Sequence, residues 1–182
     1  MDTDLFGNKI KREETKTEWY LRQKDEQTMS SRVSRLEYLH KLNPEGLIFS
    51  GQLELVLSYR ELQDTYINGH FLSVILLGQS WIEKILHSHL ESLGLKSVTK
   101  KGFAFMTQYC QDNQLVDDYL TKKMNKFRLI RNPVSHLKSD DYEHDLSKRA
   151  FRNQKNPMTQ LELDAKEIIE ICGHVAKHGL KK

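Results

Sequence analysis

The apolar and polar positions of the chain follow a helical period, and no stretch shows the alternation of a strand. Apolar residues recur every three or four positions, which is typical of amphipathic helices. The breaks between helices are short, as at Asn68-Gly69, and Gly94 stands where a C-terminal helix cap is expected. The predicted helices cover residues 11–42, 52–67, 70–93, 102–112, 114–131 and 160–178. The pattern predicts an all-α fold, an antiparallel up-down bundle of four to five helices with an extra charged N-terminal helix.

The predicted helices differ in how much apolar surface they carry. The helix over 70–93 is apolar nearly all round at its start, which predicts a central position. The helix over 11–42, or two shorter ones there, is densely charged with sparse apolar positions, so it needs a partner surface. We therefore divide the chain into a charged N-terminal helical extension, residues 1–48, and a bundle domain, residues 49–182.

The segment before the last helix is polar. Residues 137–158 are rich in lysine, arginine and aspartate, and we interpret them as one long loop ending at Asn156-Pro157. Thr159 is the expected N-terminal cap of the last helix.

Positive charge is concentrated in one part of the sequence. The formal net charge is only +3, but residues 122–155 contain ten basic and four acidic side chains. Such a zone attracts a polyanion such as RNA. A solvated helix face followed by a charged loop is the alternative interpretation.

Other features limit the classes of function. Two cysteines, Cys110 and Cys172, fit no metal spacing and are too few for a disulfide scaffold, so we expect reduced thiols in a cytoplasmic protein. His174 and His178 lack an evident third ligand, and we predict neither a metal nor a cofactor. The N-terminus has no apolar signal segment, and the longest apolar run is too short to span a membrane.

The candidate chemistry lies in the hexapeptide Arg-Asn-Pro-Val-Ser-His at residues 131–136. Pro133 disfavours helical geometry at Asn132, so the helix is expected to end near Arg131. A helix end can turn Arg131 and His136 toward one point. The planar guanidinium of arginine can donate two hydrogen bonds to phosphate oxygens, and histidine exchanges protons near neutral pH. The two side chains together are suited to act on a phosphodiester. Alternatively, the helix dipole alone favours an arginine and a histidine at a C-terminus, with Asn-Pro as an ordinary stop.

Three segments carry a resemblance to a known family. They are Ser80–Leu86 in the central helix, Leu129–His136 at the next helix end, and Thr159–Ile169 at the start of the last helix. Over about residues 50–178 the chain resembles the HEPN superfamily, whose mark is an arginine, four to six residues and a histidine, commonly with a polar residue after the arginine. Here the gap is four residues and the polar residue is Asn132.

The resemblance implies a four- or five-helix bundle that forms a homodimer, with the Arg/His pairs of two protomers in one cleft. Many members are metal-independent ribonucleases of toxin–antitoxin or phage-defence systems, whereas others are binding or scaffold modules. We therefore expect a metal-independent endoribonuclease acting as a toxin or defence effector. The alternative is a non-catalytic helical dimer that binds RNA, a nucleotide or a protein. An antitoxin or nucleotidyltransferase is a further expected partner. A third interpretation makes the charged N-terminal helix an interaction arm for an antitoxin or for the second protomer.

Each candidate residue has an expected role in RNA cleavage without a metal. His136 transfers protons, Arg131 clamps the non-bridging oxygens, and Asn132 holds His136 or contacts phosphate. One histidine cannot easily be both acid and base, so a second His136 from a dimer partner is expected, with a 2′,3′-cyclic phosphate as product. The predicted RNA-positioning charges are Lys126, Arg128, Lys138, Arg149 and Arg152.

Overall fold

The computed structural model describes residues 14–42, 53–136, 138–139 and 142–180. These residues form eight α-helices and no strand, which confirms the predicted all-α helical bundle. The helices are α1 (Lys16–Leu42), α2 (Leu53–Ile67), α3 (Phe71–Ser92), α4 (Lys96–Thr99), α5 (Phe103–Asp112), α6 (Asp118–Ser135), α7 (Leu146–Arg152) and α8 (Pro157–His178). Residues 1–13 and 43–52 lie outside the described residues. They include the start of the helix predicted over 11–42 and the predicted domain boundary after residue 48.

Helix α3 lies at the centre of the bundle and packs against α2, α6 and α8. Its buried face includes Val74, Ile75, Ile82 and Leu86, each at most 1% exposed. The indole nitrogen of Trp81, on the same helix, donates a hydrogen bond to the Leu55 carbonyl at the start of α2 (3.0 Å). The central position predicted from the nearly uniform apolar character of this segment is therefore confirmed.

Gly78 allows the close packing of α3 against α8. The Sγ atom of Cys172 lies 3.8 Å from the Gly78 carbonyl oxygen. A methyl group added at Gly78 would overlap Cγ2 of Ile168 on α8. Glycine in this helix interior is therefore required by the approach of a neighbouring helix.

Replacing Gly78 by alanine is expected to lower the free energy of unfolding by about 1–3 kcal/mol, the range typical of an overpacked core. Alanine alone favours a helix over glycine by about 1 kcal/mol, so the loss would show that the helix contact dominates. Urea unfolding followed by circular dichroism measures the change. Ser80→Ala, at an exposed position of α3, is the control and should change stability by about 0.5 kcal/mol or less. A Gly78→Ala protein more stable than wild type would contradict the packing.

Helix α1 joins the bundle through its C-terminal part. Nε of Arg35 donates to the Ile67 carbonyl at 2.8 Å, the Tyr38 hydroxyl bonds to Glu170, and Leu39 is buried. Trp19, Tyr20 and the other apolar side chains of its N-terminal half are mostly exposed.

Three parts of the sequence interpretation need correction. Helix α6 continues through Pro133 to Ser135 and does not end near Arg131, so Asn132 is helical. The predicted loop 137–158 contains α7, which begins at Leu146 after an Asp145 cap whose carboxylate accepts from the Ser147 N–H.

The start of α8 is the third correction. It begins at Pro157, and Asn156, not Thr159, is the cap, because the Asn156 side chain accepts from the Met158 N–H at 2.8 Å. Proline at the first helical position needs no N–H partner, so Asn-Pro here starts a helix. The four-residue helix α4 was not predicted.

Helices α6 and α8 run antiparallel, which brings the C-terminal end of α6 to the N-terminal end of α8. Lys126 of α6 bonds to Glu167 of α8, whereas Tyr119 near the α6 start lines a cavity with His174 near the α8 end. The hexapeptide therefore lies at the end of the bundle where α7 and α8 meet.

Candidate functional site

Arg131 and His136 meet at the C-terminal end of α6. Nη1 of Arg131 lies 3.2 Å from Nε2 of His136. Arg131 lies in the last helical turn, whereas His136 is the C-cap, with φ −139° and ψ 136°. This extended backbone turns the His136 side chain back toward the helix, and its imidazole is exposed to solvent.

The contact fits one tautomer of His136. A guanidinium group carries only N–H donors, so the contact is a hydrogen bond when Nε2 of a neutral imidazole is the acceptor and the ring proton lies on Nδ1. In the free protein, the nitrogen suited to act as a base is therefore held by the arginine that is suited to bind a phosphate. A phosphate that draws the guanidinium away would release Nε2.

Pro133 interrupts the hydrogen-bond ladder of α6 between these two residues. It has no N–H for the carbonyl of Leu129, four positions earlier. The hydroxyl of Tyr142 donates to this carbonyl at 2.9 Å and replaces the missing bond. This tertiary contact explains how α6 continues past Pro133, contrary to the sequence prediction.

Asn132 takes part in the site through its backbone. Its carbonyl accepts from the His136 N–H at 2.9 Å, and its side chain is half-buried. Ser135 Oγ donates to the Arg131 carbonyl at 3.1 Å. Both contacts stabilise the last helical turn, and the role predicted for the Asn132 side chain stays a prediction.

The five predicted RNA-positioning charges have different environments. Lys138 is exposed, and its ammonium lies 5.7 Å from the centre of the Tyr142 ring. Arg152 is exposed and donates to the Glu143 carbonyl at 2.9 Å. Arg128 is half-buried, and its Nε has no hydrogen-bond partner among the described residues. Lys126 is half-exposed and bonds to Glu167.

Arg149 is the exception, because it is only 8% exposed. Its Nη1 pairs with the buried carboxylate of Asp164, and its Nε donates to the His144 carbonyl at 2.8 Å. Gln160 donates to the other Asp164 oxygen at 2.9 Å and accepts from Asn153 at 2.8 Å. A guanidinium enclosed in this network joins α7 to α8, and we leave it out of the RNA-contacting set.

Glu167 on α8 accepts from both Lys123 and Lys126 of α6. Burial alone would raise the pKa of Glu167, but the hydrogen bonds from the two lysines outweigh burial and hold this pKa below its ordinary value. The two carboxylates Asp164 and Glu167 therefore neutralise part of the basic zone predicted over 122–155.

Glu167→Gln is expected to destabilise the protein by about 1–2 kcal/mol at pH 7, because a charged acceptor shared by two lysines is lost. A carboxylate whose pKa is lowered by folding stabilises the fold at pH values above its unfolded-state pKa. This stabilisation is lost as the pH falls through the folded-state pKa. The stability difference between wild type and variant should therefore shrink as the pH falls below about 4.5, the ordinary carboxyl pKa. Urea unfolding at pH 7 and pH 3.5 measures this stability difference. A difference that does not change with pH would contradict the pairing of ionised Glu167 with the two lysines.

The histidine pair near the end of α8 has no metal-site geometry. The rings of His174 and His178 lie 4.8 Å apart, and no group of three His, Cys, Asp or Glu side chains within the described ranges could hold a metal ion. Both cysteines are buried free thiols, and burial raises the pKa of Cys110 to about 11. Among the helices that the structure describes, none has the length and apolar composition needed to cross a membrane.

Sequence reasoning missed Tyr142, Asp164 and Glu167. Pro133 inside a helix would have indicated an unpartnered carbonyl at Leu129, but nothing in the local pattern identifies Tyr142 as its donor. The two acidic residues lie on the predicted last helix, where charged positions are ordinarily assigned to solvent.

Comparisons of the chain with family models, curated protein sequences and solved structures found no match. The candidate site therefore depends on its own geometry and on the resemblance carried by its residues.

Proposed function

We propose that the chain is a metal-independent endoribonuclease of the HEPN type, with Arg131 and His136 as its catalytic residues. The observation that supports this most is the 3.2 Å contact between the Arg131 guanidinium and the His136 imidazole on an exposed helix end. A phosphate clamp and a proton-transfer group are thus adjacent, as cleavage by the 2′-hydroxyl requires.

In the proposed reaction, a phosphodiester displaces the guanidinium from Nε2 of His136. Arg131 then binds the non-bridging oxygens, and Nε2 takes the proton from the 2′-hydroxyl. The 2′-oxygen attacks phosphorus, the bond to the 5′-oxygen breaks, and the upstream product ends in a 2′,3′-cyclic phosphate. A second group must protonate the leaving 5′-oxygen, and we assign this role to His136 of a second copy in a homodimer, which acts in its protonated imidazolium form and becomes neutral as it donates the proton.

Four cations complete the proposed RNA surface. Lys126, Arg128, Lys138 and Arg152 contact phosphates and orient the strand without reading its sequence. Asn132 contacts phosphate or holds His136. The biological setting consistent with this activity is a cytoplasmic toxin or phage-defence effector controlled by an antitoxin or nucleotidyltransferase.

The first experiment incubates purified protein with total RNA in EDTA. Wild type is expected to cleave, and His136→Ala is expected to lose cleavage because no group transfers the proton. His40→Ala, which removes an exposed histidine in the last turn of α1, is the matched control and should cleave like wild type. Equal cleavage by wild type and His136→Ala would end the proposal.

A non-catalytic RNA-binding dimer is the second candidate. It is favoured by the exposed side chains of Lys138 and Arg152, which can contact phosphates whether or not Arg131 and His136 react. A folded wild-type dimer that binds labelled RNA without cutting it would favour this function over the nuclease.

A further inference from the structure

The carbonyl of Leu129 is a point where α6 depends on another part of the chain. In an uninterrupted helix it would accept from the N–H of residue 133, which proline lacks. The Tyr142 hydroxyl donates to it at 2.9 Å. A side chain from beyond the end of α6 therefore replaces a helix backbone bond at the point of interruption.

Tyr142 is itself held firmly. Its carbonyl accepts from the Asp145 N–H at 3.2 Å, and its ring lies 5.5 Å from that of His144. The carbonyls of Glu143 and His144 accept from Arg152 and Arg149 of α7. Because Arg149 is also paired with buried Asp164 of α8, the turn carrying Tyr142 is fixed to two helices.

The two candidate catalytic residues lie on opposite sides of Pro133. Arg131 precedes it and His136 follows it, so the backbone geometry around Pro133 sets the distance between their side chains. Beyond the proline, the last turn retains the bond from the His136 N–H to the Asn132 carbonyl. Without the Tyr142 hydroxyl, the Leu129 carbonyl would lack its donor, and this turn would lose one of the contacts that hold it in place.

We propose that Tyr142 is a positioning residue for Arg131 and His136. By donating to the carbonyl that Pro133 leaves free, it holds the end of α6 in the backbone geometry at which the guanidinium and the imidazole meet. The effect of Tyr142 on the catalytic rate rests on the proposed nuclease function. Its effect on the contact between Arg131 and His136 can be measured in a protein without activity.

The test compares Tyr142→Phe, Pro133→Ala and the double variant with wild type. Tyr142→Phe keeps the ring and removes the donor, so kcat for RNA cleavage should fall about tenfold with little change in KM, because misplacement of reacting groups slows the chemical step. Pro133→Ala restores a backbone donor for Leu129 and should raise thermal stability, while the changed backbone geometry at the end of α6 again lowers kcat. When Pro133→Ala is already present, removal of the Tyr142 hydroxyl should cause no further fall in kcat.

The control is Tyr119→Phe. Tyr119 is an exposed tyrosine near the start of α6, and its replacement should leave kcat unchanged.

The second readout is the nitrogen-15 NMR spectrum of the His136 imidazole. In wild type, the contact with Arg131 should keep the neutral ring in the Nδ1–H tautomer. Tyr142→Phe should shift the ring toward the Nε2–H form that is usual in water, as should Arg131→Ala. A role limited to stability would leave the tautomer unchanged in a folded Tyr142→Phe protein.

The outcomes separate the two proposals. If wild type cleaves RNA and Tyr142→Phe matches it in kcat and in tautomer, the positioning role is overturned and the nuclease stands. If wild type does not cleave RNA but Tyr142→Phe shifts the tautomer, the nuclease fails and the positioning of Arg131 and His136 stands. Tyr142→Phe could also lower kcat by the same factor in the wild-type and Pro133→Ala backgrounds. This result would overturn the positioning role, because it would show that the hydroxyl does not replace the missing helix bond.

Discussion

Replacing Arg131 by lysine is expected to slow RNA cleavage by about 10²-fold or more, the usual effect of removing one transition-state donor, although the charge is kept. The guanidinium has a planar fork of donors that can bind two phosphate oxygens, and one of its nitrogens already reaches His136 at 3.2 Å. A lysine ammonium is a single point charge on a flexible stem, so it cannot reproduce the paired contact. Initial rates on a fluorescent oligoribonucleotide in EDTA measure the change.

The control for this substitution is Arg60→Lys. Arg60 is an exposed arginine of α2 with no proposed role in RNA binding or catalysis, so a lysine there should change the rate by less than about threefold. If Arg131→Lys also stays within about threefold of wild type, Arg131 supplies only charge and the proposed clamp is wrong.

Replacing Asp164 by alanine is expected to lower the free energy of unfolding by about 3–5 kcal/mol, the range for a broken buried ion pair. Asp164 is 3% exposed and pairs with Arg149, which is 8% exposed, so its removal leaves a guanidinium buried without its counter-charge. The Gln160 side chain also loses its acceptor. Urea unfolding at pH 7 measures the loss.

Two further variants test the cause of that loss. Glu162→Gln removes a half-exposed carboxylate, 3.6 Å from Arg35, and should cost about 1 kcal/mol or less. Replacing both partners by apolar residues, as in Arg149→Met with Asp164→Leu, should recover much of the stability, because no unpaired charge remains. A loss below about 1 kcal/mol for Asp164→Ala would show that the pair does not hold α7 on α8.

Apolar periodicity predicted the bundle well where packing is local. The ends of α2, α3 and α5 lie within one residue of the predicted limits. Gly69 and Gly94 end α2 and α3 with φ of 77°, a conformation that glycine adopts without strain. Helix spacing and a glycine stop are properties of the adjacent residues, so the sequence displays them directly.

The prediction failed where a distant side chain decides the local structure. Pro133 by itself favours a helix end, but the Tyr142 hydroxyl, from outside the helix, supplies a donor to the Leu129 carbonyl and supports the continuation to Ser135. Helix α7 buries little apolar surface, with Ala150 its one buried hydrophobic residue. It is held by the Arg149–Asp164 pair, which no apolar pattern reveals.

The candidate site was predictable only in part, for the same reason. The spacing of Arg131 and His136 in the sequence led to the expectation that both side chains turn to one point, and they lie 3.2 Å apart. A count of basic residues cannot separate Arg149, which is enclosed with a carboxylate, from Lys138 and Arg152, which face solvent. That separation depends on the tertiary fold around α7 and α8.

Arg131 and His136 are proposed to cleave RNA through its 2′-hydroxyl without a metal. The most direct measurement uses a DNA oligonucleotide with a single ribonucleotide, incubated in EDTA with wild type, Arg131→Ala and His136→Ala. The proposed function predicts a cut by wild type only, directly after the ribonucleotide, with a 2′,3′-cyclic phosphate on the upstream product and no cut in the all-DNA control. Cutting of the all-DNA strand, cutting by either variant at the wild-type rate, or no cutting of this substrate and of total RNA by wild type would contradict it.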